Sequence, residues 1–142
     1  MHKLALFLIA LMFSGQLRAD ILVIVNAHNP VVTLEKKQVV DLFMGRVSAF
    51  PGGGAAQTLD LKTGTPLRAD FYKRLTGKSE AQVDAYWATL VFAGRMSPPK
   101  QFADDREVIG EVTKNKMAIA YVARQSLPGG VKIVMELTQT AK

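Results

Sequence analysis

The sequence predicts an α/β domain with a mostly parallel sheet flanked by helices. Residues Ile21 to Val25 are apolar and largely β-branched without interruption, the pattern of a strand buried on both faces. Residues Met117 to Val122 have the same character near the other end of the chain. Between these two runs lie segments whose apolar residues recur at helical spacing, so strands and helices alternate.

The first 19 residues stand apart from that domain. Met1-His2-Lys3 is a short basic start, followed by an apolar run from Leu4 to Phe13 that is too short to span a bilayer, which takes about 20 helical residues. Polar Ser14-Gly15-Gln16 and then Ala19, a small residue suited to a signal peptidase, complete the pattern of a secretory signal peptide over residues 1–19. Leu17 and Arg18 fit that pattern less well, and an uncleaved amphipathic anchor is the alternative. The expected mature domain is residues 20–142, exported to the periplasm. Cleavage removes Lys3 and Arg18 and so lowers the formal net charge of +6 by two.

Within the domain, the first strand is expected at the centre of the sheet. Thr33 is a candidate cap for a helix running through Met44, with Gly45 ending it. Pro51 to Gly54 reads as a turn, and Gln57 to Leu61 as a short second strand. Thr65-Pro66 opens a second helix, a capping residue followed by Pro at the first helical position. Its expected buried stripe is Leu67, Phe71 and Leu75, with Gly77 as terminator. Ser79 and Gln82 have capping-box spacing for a third helix to Ala93, turning Val83, Trp87, Leu90 and Val91 inward. Ser97-Pro98-Pro99 marks a loop, and Asp104 with Glu107 opens a fourth helix to about Asn115. A last strand is expected over Val131 to Met135, after the turn Pro128-Gly129-Gly130.

Composition excludes several classes of function. The chain of 142 residues has no Cys and only two His, His2 and His28. Disulfides, thiolate catalysis and Cys-based zinc sites are thereby excluded, and no metal site or cofactor is expected. No nucleophile, base and orienting group can be assembled at motif spacing, so no catalytic residue is assigned and the chain is read as a non-enzyme. Adjacent cations are confined to Lys36-Lys37 and Lys73-Arg74, without the basic stripe and interleaved aromatics of a nucleic-acid binder. A small anion is the more natural partner for a mildly basic exported domain.

The segment Asp60 to Arg68 carries the most local information. It joins a strand end to a helix N-terminus, where unpaired N–H groups and the macrodipole favour phosphate, sulfate or carboxylate. Gly64 permits close approach to the backbone, Thr63 and Thr65 offer hydroxyls, and Lys62 and Arg68 add charge. Thr63, Gly64, Thr65 and Arg68 are the expected anion-binding residues. The same spacing also fits a plain capped helix with solvated cations.

Thr33 to Gly45 resembles a helix of the periplasmic phosphate-binding proteins of ABC transporters. Thr63-Gly64-Thr65 stands where that family carries a Ser-Gly-Thr-Thr phosphate loop, and Met117 to Val122 resembles one of its strands. Tyr86-Trp87, Phe92 to Gly94 and Pro98-Pro99 extend the likeness to short, single-lobe members of the family. The resemblance implies a single lobe of a type II periplasmic-binding fold and an oxyanion site at Thr63, Gly64, Thr65 and Arg68. It also implies a role beside an ABC permease or a sensor kinase. Full-length members bind phosphate between two lobes, and this chain matches the lobe with the loop. Leu59 and Leu61 stand where the family has Arg and Asp, with Asp60 one place off, and Pro66 replaces the second Thr. A ligand-free interaction protein that kept the fold, paired with another protein or as a homodimer, is the alternative.

His28, after the first strand, and Arg95, beside the diproline, are further candidates for a cleft. Gly52-Gly53-Gly54 lacks the Lys-Ser/Thr of a phosphate-cradling loop and reads as a turn. Asp104-Asp105 suits a helix start, and Trp87 is placed in the core against Phe71 or Val91.

Overall fold

The computed structural model describes residues 20–138. The leader expected over residues 1–19 lies outside them. The elements are β1 (Ile21–Asn26), α1 (Lys36–Phe43), β2 (Gln57–Leu61), α2 (Pro66–Thr76), α3 (Glu80–Phe92), β3 (Lys100–Phe102), α4 (Asp105–Lys114), β4 (Ala118–Ala123) and β5 (Val131–Leu137). A single 3-10 turn, Arg124–Ser126, follows β4. No helix among the described residues is long and apolar enough to cross a membrane.

The strands form one sheet in the order β3-β2-β4-β1-β5. β3, β2 and β4 are parallel neighbours, while β1 runs antiparallel to both β4 and β5. The sheet is therefore mostly parallel in strand direction, with β1 reversed. An apolar run buried on both faces, as β1 is, carries no mark of direction. The reversal has a consequence for the site: the carboxyl end of β1 lies opposite those of β2, β3 and β4.

β3 is absent from the sequence expectation. Lys100, Gln101 and Phe102 follow the diproline without an apolar run, and they pair with Leu59, Asp60 and Leu61 along the outer side of β2. Right-handed crossovers place α2 and α3, between β2 and β3, on one face of the sheet, and α4, between β3 and β4, on the other.

The core on the α2 face is aromatic. Phe71 of α2 stacks on Tyr121 of β4 with ring centroids 3.7 Å apart, and Phe43 of α1 meets Phe71 edge-on at 5.0 Å. Each fully buried aromatic of this kind contributes about 1.5–3 kcal/mol from area alone.

Several local expectations are corrected. α1 starts at Lys36 with Glu35 and Gln38 forming a capping box, because Thr33 is still in the extended segment reaching β5. Thr65 sits at the N-cap of α2, but its hydroxyl donates back to the Lys62 carbonyl instead of capping the helix. In α2 the fully buried positions are Arg68, Phe71, Tyr72 and Leu75, and Leu67 is only partly covered. Val91 is half exposed. Trp87 is buried as expected, but its ring lies over Gly45 and beside Met96, in edge contact with Tyr86.

Candidate functional site

β2 delivers Asp60 to the interior and then turns sharply. Thr65 donates both its N–H, at 3.1 Å, and its hydroxyl, at 2.7 Å, to the Lys62 carbonyl, closing a tight turn over Thr63 and Gly64. Gly64 has φ +95°, a conformation that residues with a Cβ rarely adopt. Pro66 then starts α2 with its φ already helical. One turn in, Arg68 points into the protein and is 2% exposed.

A buried guanidinium needs compensation. Arg68 Nε donates to Asp60 Oδ2 at 3.2 Å and Nη2 to Asp84 Oδ1 at 2.8 Å, while Nη1 lies 3.1 Å from Glu80 Oε2. Three carboxylates thus surround one cation. Burial alone would push the Arg68 guanidinium down, but Asp60, Asp84, Tyr72 and Glu80 together outweigh it and hold the guanidinium above its ordinary range. The Nη1 atom is paired with Glu80 by charge, and both atoms of that pair are buried.

Asp60 is equally enclosed, at 2% exposure. Its Oδ1 accepts from the Leu61 N–H at 2.8 Å and from the Tyr121 hydroxyl. Its Oδ2 accepts from the Tyr72 hydroxyl at 2.7 Å as well as from Arg68. These four donors use the acceptor capacity of a carboxylate. Burial, and then the charge of Asp60, push the Tyr72 and Tyr121 hydroxyls well above the ordinary tyrosine range, so both remain donors.

The outer part of the cluster belongs to the loop and to α3. A full capping box at Ser79 and Gln82 fixes the start of α3, and Glu80 and Asp84, one turn apart, face the loop together. The Gly64 N–H donates to Glu80 Oε1 at 3.0 Å, and the Thr63 hydroxyl to Asp84 Oδ2 at 3.3 Å. Each α3 carboxylate is therefore shared between a loop donor and Arg68. Backbone N–H, hydroxyl and guanidinium converge on the oxygens of two anionic groups.

A groove of about 1270 Å³ opens beside this cluster. It lies where β2, β3 and β4 end, with Leu61, Ala103 and Ala123 in its walls, between the N-termini of α2 and α4. Open α/β sheets bind ligands at such a crevice. Of the four expected anion-binding residues, Thr65 lines the groove, while Thr63, Gly64 and Arg68 are engaged by α3 or Asp60.

Two expected cleft residues stay away from the cluster. His28 follows β1, whose reversal carries it to the opposite end of the sheet, where it is exposed and its N–H donates to Asn26 Oδ1. Arg95 is exposed beyond the far end of α3, which at 1.5 Å per residue is roughly 20 Å from Glu80. Asp104 accepts the Glu107 N–H and caps α4. Among the described residues no group of His, Asp and Glu is placed to hold a metal ion. The sequence reading omits Asp60, Tyr72, Glu80, Asp84 and Tyr121 from the site. The available signals were the continuation of the buried α2 stripe through Arg68 and Tyr72, and the four-residue spacing of Glu80 and Asp84.

The same fold occurs in phosphate transport receptors. An ABC-type phosphate transport receptor from Vibrio cholerae superposes with a TM-score of 0.64 at 16% identity, over 82% of this chain and 46% of that one. A protein assigned as a phosphate ABC transporter substrate-binding protein from Clostridium perfringens, solved with phosphate bound, gives 0.66 at 19%, over 82% and 45%. PstS from Borrelia burgdorferi gives 0.62 at 11%, over 82% and 47%. The chain thus spans less than half the length of these receptors while sharing the fold of that part. No family model matches the sequence, and no curated protein matches it.

Proposed function

We propose that this chain is an exported, non-enzymatic solute-binding module that takes phosphate or a related tetrahedral oxyanion at the start of α2. The observation that carries this reading is the sharing of two carboxylates between the loop and Arg68: Glu80 with the Gly64 N–H, Asp84 with the Thr63 hydroxyl. Such a donor set is already arranged for anionic oxygens, so an oxyanion that displaces the two carboxylates meets preorganised donors. The fold shared with phosphate receptors adds support. In this reading the module serves an ABC permease or a membrane sensor, with the groove beside Thr65 as the face that a second half of the site would cover.

The occupied state of the same donors favours a second reading. If Glu80 and Asp84 satisfy the loop permanently, the module has kept the fold and works by binding another protein or a second copy of itself. Isothermal titration of the metal-free protein with inorganic phosphate separates the two. The binding reading expects saturable heat with Kd on the order of 1 mM, about 4 kcal/mol of affinity. Absence of saturable heat over that range leaves the interaction reading.

A further inference from the structure

We infer that Glu80 and Asp84 are a built-in lid on the oxyanion site, occupying with their own oxygens the position that a free anion takes. This rests on the reading of the loop as an oxyanion site. The first turns of α3 act here as a tethered competitor.

The argument starts from donors. The Gly64 N–H, the Thr63 hydroxyl and Arg68 Nη2 each have an α3 carboxylate as hydrogen-bond acceptor, at 3.0, 3.3 and 2.8 Å. An incoming anion has to displace those oxygens, because one donor hydrogen cannot serve both at full strength. The same carboxylates also repel it, since like charges sharing a site disfavour one another.

The fit of the lid differs from the fit of the base. Asp60 meets four donors and is 2% exposed, whereas the side chains of Glu80 and Asp84 are 18% and 37% exposed. Arg68 Nη1 and Glu80 Oε2 are both buried atoms and form an ion pair at 3.1 Å. Arg68 Nη1 is thus held by Glu80 as an ion pair, a second guanidinium arm that a tetrahedral anion has to take over from the lid. Asp84, the more exposed of the pair, can swing to water at the smaller cost.

Chemistry sets the ligand class. The donors are one backbone N–H, one hydroxyl and two arms of a guanidinium, now spread over two separate carboxylates, and the several oxygens of one phosphate or sulfate can meet them together. The Asp60, Tyr72 and Tyr121 base stays in place throughout and fixes the Arg68 guanidinium beside the two α3 carboxylates.

The test compares the intact chain with E80Q, D84N and the E80Q/D84N double variant. Each is titrated with inorganic phosphate, with the Gly64 amide followed by NMR and folding checked by far-UV circular dichroism. The lid predicts that phosphate affinity rises on the order of tenfold or more in the double variant, a normal magnitude for coupling between two binding events, with smaller gains in the singles. A folded variant that binds phosphate at Gly64 no more tightly than the native chain overturns the lid and leaves the oxyanion site standing. Folded native and variant chains that both leave the Gly64 amide unmoved overturn the site itself. If the double variant does not fold, D84N carries the comparison, because its side chain is the more exposed.

Discussion

Arg68 Nε and Asp60 Oδ2 lie 3.2 Å apart with both side chains 2% exposed, so the cation and its base are enclosed by the fold. Removing one partner leaves an uncompensated buried charge, which typically costs about 3–5 kcal/mol. Asp60→Asn should therefore lower the urea midpoint sharply. A loss below about 1 kcal/mol would mean that Glu80 and Asp84 carry the compensation instead.

Tyr72 and Tyr121 supply the hydroxyls that complete Asp60. Their folded-state values lie above those of the unfolded chain, near about 10, owing to burial and then to the Asp60 charge. Their contribution to stability is thus present below about pH 10 and is lost as pH rises through the folded-state values. Tyrosinate absorbance from these two residues should appear together with the loss of helical circular dichroism. Ionisation of both in a chain that stays helical would contradict the enclosure.

Trp87 is the single tryptophan and sits over Gly45, which has φ +71°. A Cβ there would lie 2.5 Å from the Trp87 ring and 2.7 Å from Met96 Cε, so Gly45→Ala should cost about 1–3 kcal/mol from overpacking. Trp87→Ala should cost about 3–5 kcal/mol. Native fluorescence should be that of a shielded indole, and an emission maximum of fully hydrated tryptophan would refute the placement.

The domain was readable where a pattern is local. Unbroken apolar runs mark β1 and β4, and the Ser79-Gln82 and Asp104-Glu107 spacings mark the starts of α3 and α4. Strand direction was not readable, because the residues of β1 would be buried equally well in either sense. β3 was not readable because its pairing with β2 is tertiary and its three residues have no periodicity of their own. The same division runs through the site. Thr63, Gly64, Thr65 and Arg68 are consecutive enough to suggest a loop and helix start. Glu80 and Asp84 reach that loop only because α3 folds back beside α2, and Asp60 gains its role from Tyr121, 61 residues away.

Export is checked at the N-terminus. The Asp20 carbonyl accepts the Arg124 N–H at 3.1 Å, so the fold holds the chain from that residue on. The proposed signal peptide predicts a mature chain beginning at Asp20 in the periplasmic fraction. Intact mass with Met1 retained in a membrane fraction would replace it with an uncleaved anchor.

The central claim, that the loop before α2 and Arg68 form an oxyanion site, is tested most directly by a phosphate titration of the isotope-labelled chain. If the claim holds, the amides of Gly64, Thr65, Leu67 and Arg68 shift first and saturate together at millimolar anion, with the Arg68 Nε–H following them. If those amides stay still while others move, or none moves, the donors belong to Glu80 and Asp84 alone and the claim is contradicted.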